Sequence, residues 1–319
     1  MASDATFDQP LRGPVNVPCR RSQSAATGQD ATVNTIGVIE VGGTHATAAL
    51  IAPYEWTVHS QTRRVELDSH ADATDLLDKI ALAADGIEAP VWGVAMPDPF
   101  DYPLGIGRFR DVGKFSALDG VDVRAGLAHR LHVDPAVLSF CNDADAFTLG
   151  EWAIGAGRGF NRVVGLTLGT GVGSGWTVDG QITDPGNPPG GRIHQVRIDG
   201  RPLEETMSRR AIRSAYGGRA GDHDADVREI AEHAADGDQL ATEVLQHALD
   251  GLGRAIAGPI ERFAADVLVV GGSMAQSWRL FEPWVLEGWA TTGHSPPVMR
   301  VAEHPEDAPL VGAAIAATA

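Results

Sequence analysis

A carboxylate beside an amide follows a short apolar segment near the middle of the 319-residue chain. Asn142 and Asp143 come directly after the run 137–141, whose composition favours a buried strand. Loops at the C-terminal ends of strands are where α/β sheets usually bind ligands. A carboxylate next to an amide can hold a hydroxyl group and remove its proton. The pair therefore predicts a site that acts on an alcohol, although Asp143 could instead only cap the helix that follows.

Two glycine-rich turns supply a second kind of chemistry. One comprises Gly42, Gly43 and Thr44 after the apolar run 36–39, and the other is the stretch 168–175, Leu-Gly-Thr-Gly-Val-Gly-Ser-Gly, after the apolar run 163–166. Backbone N–H groups exposed in such turns can surround a phosphate. Combined with Asn142 and Asp143, they predict phosphoryl transfer to a hydroxyl group. The first turn could equally be an ordinary hairpin turn.

The residues after the second glycine turn argue against a dinucleotide-binding fingerprint. That fingerprint requires an amphipathic helix directly after the glycines. Here the turn is followed by a returning strand, 175–178, and by the hairpin signal Asp179-Gly180.

The apolar pattern predicts two successive units of similar organisation, each with a strand, a glycine turn, a returning strand and then helices and further strands. The first unit has predicted strands 36–39, 46–51, 56–64, 91–95 and 137–141, a loop 98–116, and helices around 76–84 and 127–131. The second has predicted strands 163–168, 175–178, 267–270 and 298–301 and helices 203–216, 227–235, 239–263 and 310–317. We expect an α/β fold of two domains with a ligand-binding cleft between them.

Composition narrows the function classes. The net charge of −17 argues against a nucleic-acid partner, because phosphate backbones bind basic surfaces. Apolar runs stay well short of the roughly 20 residues of a membrane span, and no secretory signal is visible. The two cysteines, Cys19 and Cys141, exclude a disulfide framework. We therefore expect a cytoplasmic protein that binds neither nucleic acid nor membrane.

Six motifs in this order resemble those of the ROK family, which holds bacterial glucokinases, other sugar kinases and related repressors in the actin/hexokinase-like (RNase H-like) ATPase superfold. The resemblance covers residues 35–319. The motifs are 40–44, 142–146, 168–175, Leu203-Glu204 with Ser208, 271–273 and 312–314. The resemblance implies two domains that flank a cleft. Their expected bounds are 35–143, completed by a C-terminal helix 303–319, for the small domain and 144–302 for the large one, after a disordered extension 1–34.

The resemblance also implies a role for each matching residue, with ATP and Mg²⁺ as cofactors and a homodimer as the family's habit. Asp143 matches the catalytic base, and Asn142, His194 and Glu204 match ligands of the sugar. The phosphate loops match Gly42, Gly43 and Thr44, and Gly169, Thr170, Gly171 and Gly173; the segment beside the adenosine matches Gly271, Gly272 and Ser273. Taken alone, Glu204 is more often a helix first-turn acid, and His194 could be a plain loop histidine.

Departures from the family pattern bear on the metal and the acceptor. Glu40 stands where the family usually has Asp, so it could serve Mg²⁺ only through water. No cysteine follows His194 in 195–203, so we expect no zinc site. Gly190-Gly191-Arg192-Ile193-His194 lacks the glutamate of the family's Gly-Glu-x-Gly-His, and the asparagine usual near 114–118 is absent as well.

The missing glutamate implies an acceptor that resembles glucose at its hydroxymethyl end and differs at its anomeric end. Candidates are an aminohexose such as kanosamine or a seven-carbon cyclitol of the valiolone type, as phosphorylated by ROK-like kinases of antibiotic pathways. Glucose is the simpler alternative, which would make the protein a glucokinase. A non-catalytic or regulatory sugar-binding protein is the alternative of another class.

Overall fold

Two mixed β-sheets, each flanked by helices, form the structure, which is a computed structural model. It describes residues 35–59, 62–183 and 192–319, so the extension predicted over 1–34 lies outside the described residues. The strands are β1 Ile36–Val41, β2 His45–Ala52, β3 Thr57–Val58, β4 Arg63–Glu66, β5 Trp92–Met96, β6 Phe100–Asp101, β7 Ile106–Gly107, β8 Leu138–Asn142, β9 Arg162–Leu168, β10 Val172–Val178, β11 Gln181–Ile182, β12 Arg197–Ile198, β13 Arg201–Pro202, β14 Val267–Gly271 and β15 Val298–Val301.

The helices are distributed between and after these strands. They are α1 Ala73–Ala83, α2 Val123–Leu131, α3 Asp143–Ile154, α4 Glu204–Met207, α5 Arg209–Ala220, α6 Val227–Ala235, α7 Gln239–Phe263, α8 Trp278–Ala290 and α9 Ala308–Thr318. No helix in the described ranges combines the length and apolarity needed to cross a bilayer.

The two main sheets repeat one topology. The first has the order β3-β2-β1-β5-β8, with β4 also paired to β2, and the second has the order β11-β10-β9-β14-β15. In each, an antiparallel hairpin is followed by two parallel pairings. The predicted α/β duplication is therefore confirmed, whereas the exact domain bounds stay a prediction.

Helix α3 joins the two halves because small residues let its neighbours approach closely. A side chain on Gly312 of α9 would overlap the Ala146 carbonyl, and one on Gly175 of β10 would overlap the Ala144 carbonyl. Helix α9 also packs on β1, β5 and β8, so the C-terminal helix covers the first sheet. The start of α3 is consequently held by elements of both sheets.

Two predicted elements of the chain are wrong in their extent. The third strand, predicted over 56–64, is two short strands, β3 and β4, that pair with opposite ends of β2, and Trp56 lies in the turn before β3 with a left-handed φ of 52°. The helix 203–216 is two helices because Ser208 is extended, with φ −67° and ψ 154°, and its Oγ caps α5 by accepting the Ala211 N–H at 3.3 Å.

The segment 98–116, predicted as a loop, contains the short hairpin β6–β7 and an aromatic cluster. Phe100, Phe109 and Phe115 are buried and pack with tilted rings, whose centroids are 6.3 Å and 5.5 Å apart for successive pairs. Helix α8 was not predicted, and it packs on α7 with Pro283 inside it. The segment after β5 is therefore an ordered wall rather than an open loop.

A fully buried carboxylate holds the linker between β15 and α9. Glu151 of α3 accepts N–H groups from Ala156 at 2.8 Å, Glu303 at 3.1 Å and His304 at 2.8 Å. Buried N–H groups require such partners, since an unpaired one costs about 1–3 kcal/mol. One side chain thus fixes where the C-terminal helix leaves the second sheet.

We predict that Glu151→Gln lowers the free energy of unfolding by about 1–3 kcal/mol, because an amide offers one carbonyl oxygen and leaves at least one of the three N–H groups unpaired. Urea denaturation followed by circular dichroism measures the change. The matched control is Glu232→Gln, whose carboxylate forms only an exposed pair with Arg228. Equal stability of the two variants would contradict this role of Glu151.

Candidate active site

A cleft of about 790 Å³ lies where the glycine turns of the two sheets face each other. Its walls come from the β1–β2 and β9–β10 turns, the segment after β5, the start of α3 and the segment after β14. The structure brings together in it almost every residue predicted from sequence: Glu40, Gly42, Gly43, Thr44, Asn142, Asp143, Gly169, Thr170, Gly171, Gly173, His194, Glu204, Gly272 and Ser273.

Gly271 is the exception among the predicted site residues. It is the buried last residue of β14, and a side chain there would overlap the ring of Phe147, so packing requires a glycine at this position. The next residue, Gly272, has a φ of 84° and lies against the Leu168 carbonyl, which only glycine permits. Gly272 and Ser273 thus present the end of β14 to the cleft.

Some amides of the glycine turns are already bonded within their own hairpins. Gly42 donates to the His45 carbonyl at 2.8 Å, and Gly169 donates to the Gly171 carbonyl at 3.0 Å. In the described part of the chain, the amides of Gly43 and Thr170 have no such partner. A phosphate bound between the turns would therefore meet the tips of the hairpins, at Gly43 and Thr170, rather than Gly42 and Gly169.

Asn142, rather than Asp143, caps helix α3. Asn142 ends β8, and its Oδ1 accepts the N–H groups of Ala144 at 2.9 Å and Asp145 at 3.2 Å. Asp143 is the first residue of α3, and its Oδ1 accepts the Ala144 N–H at 2.8 Å. The alternative in which Asp143 is only a cap is thus not needed to explain the helix start.

Burial dominates the electrostatics of Asp143. It raises the pKa of this carboxyl above the ordinary 3.8, while the Lys114 charge and the Ala144 N–H lower it and the Asp98 charge raises it. The carboxyl is therefore a stronger base than a surface aspartate. Lys114 is one of only two lysines in the chain and was not predicted as a site residue.

Two further carboxyls of the cleft have pKa values near neutrality. Burial and then the Asp143 charge raise the pKa of Glu40 to about 7, against the effect of Arg64. Burial and then the Asp98 charge raise the pKa of Asp145 to about 7, although a backbone hydrogen bond from Trp176 opposes this. A bound cation would therefore be stabilised at this end of the cleft, which fits Glu40 as a partner of hydrated Mg²⁺.

Of the three residues predicted as sugar ligands, His194 and Glu204 line the cleft from the segments after β11, whereas Asn142 lines it from the end of β8 in the first sheet. Burial lowers the pKa of His194, while Glu204 is the largest influence that raises it, so the imidazole stays neutral near pH 7. Glu204 reaches the β9–β10 turn, since a side chain on Gly171 would meet its Oε1. Gly190 and Gly191, on which the prediction about the anomeric end depends, lie outside the described residues.

Tyr102 and Asp98 were missed by sequence reasoning. The Tyr102 hydroxyl lies 2.9 Å from Asp98 Oδ1 and 3.0 Å from Asn142 Nδ2. Asp98 follows β5 as Asn142 ends the neighbouring parallel strand β8. Polar residues at adjacent strand ends meet at one sheet edge, so the Pro97-Asp98-Pro99 stretch carried a usable signal.

In residues 35–59, 62–183 and 192–319 no three or more His, Cys, Asp or Glu side chains are grouped so as to hold a metal ion.

Comparisons with known proteins identify relatives over most of the chain. A model of the ROK family matches residues 36–188 and 199–319. A glucokinase of Thermotoga maritima is 28% identical over 273 residues, which are 77% of this chain and 84% of that protein.

Solved structures share the fold. A ROK family glucokinase from Streptomyces griseus in complex with glucose and AMPPNP superimposes with a TM-score of 0.69 at 21% identity, over 88% of this chain and 98% of that one. A ROK family transcriptional regulator, a homologue of the E. coli MLC protein, gives 0.73 at 20% identity, over 89% of this chain and 77% of that one. The fold is therefore shared by kinases and regulators.

We predict that Asp145→Asn stabilises the protein at pH 8 by about 1–3 kcal/mol and changes little near pH 4. With a folded pKa of about 7, Asp145 binds a proton between pH 4 and 7 that the unfolded chain has released, so wild-type stability falls as pH rises through this window. Asparagine never ionises and still accepts the Trp176 N–H.

Urea denaturation at the two pH values measures the effect, with the exposed Asp134→Asn as control. A variant that is destabilised equally at both pH values would show that Asp145 is ionised throughout.

Proposed function

The chain belongs to the ROK family and is a phosphotransferase of the sugar-kinase type, and we propose that it transfers the γ-phosphoryl group of ATP to the primary hydroxymethyl hydroxyl of a sugar or sugar-like acceptor. One observation carries the proposal: Asp143 lies in one cleft with both glycine turns. Because a regulator shares the fold, this arrangement, rather than the fold, favours an enzyme.

In the proposed reaction Asp143 is the general base. The acceptor oxygen attacks the γ-phosphorus, the bond from that phosphorus to the β–γ bridging oxygen breaks, and the hydroxyl proton passes to Asp143. Burial raises the pKa of Asp143 and so strengthens the base, while the Lys114 charge opposes that rise and favours the ionised form. Asp143 thus accepts the proton, and Lys114 adjusts the pKa at which it can do so.

The nucleotide would lie between the turn of Gly42, Gly43 and Thr44 and the turn of Gly169, Thr170, Gly171 and Gly173, with its phosphates against the hairpin tips at Gly43 and Thr170, whose amides, over the described residues, have no partner within their own hairpins. Gly272 and Ser273 would lie beside the adenosine. Mg²⁺ bound with ATP supplies positive charge for the β- and γ-phosphate oxygens. Glu40 would hold it through water, and this interaction strengthens as the carboxyl ionises above pH 7.

The acceptor would be held by Asn142, His194 and Glu204. Asn142 can still donate one amide hydrogen, because its Oδ1 caps α3 and its Nδ2 uses one hydrogen on Tyr102. At the anomeric end Gly191 provides no carboxylate, and Arg192 offers only donors. We therefore favour kanosamine or a valiolone-type cyclitol over glucose, with a place in antibiotic biosynthesis.

The setting of the reaction is part of the proposal. A net charge of −17 disfavours nucleic acid and anionic membrane surfaces as partners. We propose that the protein works in the cytoplasm as a homodimer, on small-molecule substrates alone.

We predict that Asp143→Asn lowers kcat by about 10²–10⁴-fold and leaves the KM for ATP near the wild-type value, because the amide keeps the shape but cannot take the proton. A coupled assay of ADP release measures both constants. The control is Asp72→Asn, which replaces an aspartate at the start of α1, where asparagine caps equally well. Turnover near the wild-type value in Asp143→Asn would sink the base assignment.

We predict that kcat/KM is at least tenfold higher for kanosamine or a valiolone-type cyclitol than for glucose, since a site that has lost a hydroxyl partner discriminates against that hydroxyl. Gly191→Glu should improve the use of glucose. Clear preference of the wild-type enzyme for glucose, with no gain in Gly191→Glu, would contradict this view of the anomeric end.

A further inference from the structure

Tyr102 is held as a hydrogen-bond donor inside the cleft. Burial, followed by the charges of Asp98 and Asp143, raises the pKa of Tyr102 well above its ordinary value, so its hydroxyl stays protonated. The hydroxyl lies 2.9 Å from Asp98 Oδ1 and 3.2 Å from the Met96 carbonyl. The Asp98 carboxylate, which is charged and at the shorter distance, is the stronger acceptor for the single hydrogen of the Tyr102 hydroxyl.

The direction of the whole chain of hydrogen bonds follows from the cap of α3. Asn142 Oδ1 already accepts two N–H groups of the helix, so its Nδ2 must face Tyr102 and donate to it at 3.0 Å. Tyr102 accepts from Asn142 and donates to Asp98. The Asn142–Tyr102–Asp98 chain therefore ends on a carboxylate, which is a pure acceptor.

Asp98 has accepting capacity left over. Across the described ranges, the Tyr102 hydroxyl is the one hydrogen bond that its side chain makes, and its carboxylate lines the same cleft as Asp143. His194 lines this cleft too, and the Asp98 charge raises the pKa of both Asp143 and His194, so Asp98 lies within electrostatic reach of the proposed base and of the proposed sugar ligand. A half-buried carboxylate in that position needs donors from the bound molecule.

We propose that Asp98 is a second acceptor-binding carboxylate, with Tyr102 as its positioning residue, so that the acceptor must present a hydroxyl or ammonium donor to it. The inference rests on the proposed kinase function and narrows its acceptor class. Neutral polyols and aminohexoses satisfy Asp98. Groups that only accept hydrogen bonds, such as a carboxylate, leave it unpaired and are rejected.

The fold of this wall does not depend on the Tyr102 hydroxyl. The ring of Tyr102 packs against Phe100, with centroids 5.4 Å apart, and Arg124 Nη2 donates to the backbone carbonyls of Tyr102 at 3.3 Å and Pro103 at 2.9 Å. Removing the hydroxyl alone should therefore leave the protein folded. The effect of removing the hydroxyl should therefore appear in acceptor binding rather than in the stability of the protein.

The experiment measures steady-state kinetics of wild type, Tyr102→Phe and Asp98→Asn with glucose, kanosamine and a valiolone-type cyclitol. For the best of these acceptors, we expect Tyr102→Phe to raise KM about 5- to 10-fold and Asp98→Asn to raise it about 10-fold or more. In both, kcat and the KM for ATP should stay within about twofold, because neither residue touches the phosphates or takes the proton.

A pH profile separates this role from a merely structural one. Asp143 must be ionised to act, and the Asp98 charge raises its pKa. Asp98→Asn removes that charge, so the acid limb of kcat/KM should move to lower pH. Tyr102→Phe keeps the Asp98 charge and should leave the limb in place.

Tyr216→Phe is the matched control, because its hydroxyl also makes two hydrogen bonds, to His233 at 3.1 Å and Asp238 at 3.3 Å, outside the cleft. It should leave every acceptor KM unchanged. If Tyr102→Phe and Asp98→Asn, both folded by circular dichroism, keep the wild-type acceptor KM and acid limb, the inference is overturned while the kinase function stands. A wild-type protein that phosphorylates none of the three acceptors overturns both.

Discussion

The capped start of helix α3 is the contact on which the rest of the site depends. The Oδ1 of Asn142 accepts the N–H groups of Ala144 and Asp145, which holds the first turn of the helix and with it Asp143 at the cleft. Small residues then let β10 reach Ala144 and α9 reach Ala146, so both sheets are fixed relative to this one turn. Each glycine turn is the tip of a hairpin in one of those sheets. Packing of helix backbones therefore sets the distance between the proposed base and the phosphate turns.

Charge is the second constraint, and it follows from the same packing. Glu40, Asp98, Asp143 and Asp145 are among the acidic residues that line the cleft. Burial raises three of their pKa values, and the positive charges of Lys114 and Arg64 oppose the rise at Asp143 and Glu40 respectively. Ionised carboxylates in such a site are unfavourable in the folded state, and a hydroxyl donor or a cation that binds there stabilises them. In the proposed reaction, the acceptor's hydroxyl groups and the Mg²⁺ bound with ATP would relieve the repulsion among these carboxylates.

Local patterns in the sequence predicted the parts of the site that lie at strand ends. The two hairpins, the position of Asn142 and Asp143 after β8 and the long helix α7 could all be read from apolar spacing and glycine turns. Sequence reasoning missed Tyr102 because its partners Asp98 and Asn142 lie at the ends of two different strands. No spacing rule connects Tyr102 with Asn142, which is 40 positions away. Lys114 escaped for the same reason. The break at Ser208 depends on a single extended residue inside a helical pattern, and the left-handed turn at Trp56 depends on tertiary packing; neither leaves a periodic signal.

The central claim is that Asp143 faces the hydroxyl that receives the phosphoryl group held between the two turns. A crystal structure with a non-hydrolysable ATP analogue, Mg²⁺ and the best acceptor tests it directly. We expect the acceptor's hydroxymethyl oxygen at about 2.6–3.2 Å from a carboxylate oxygen of Asp143, on a line toward the γ-phosphorus. A nucleotide bound outside the glycine turns, or a hydroxymethyl group turned away from Asp143, would contradict it.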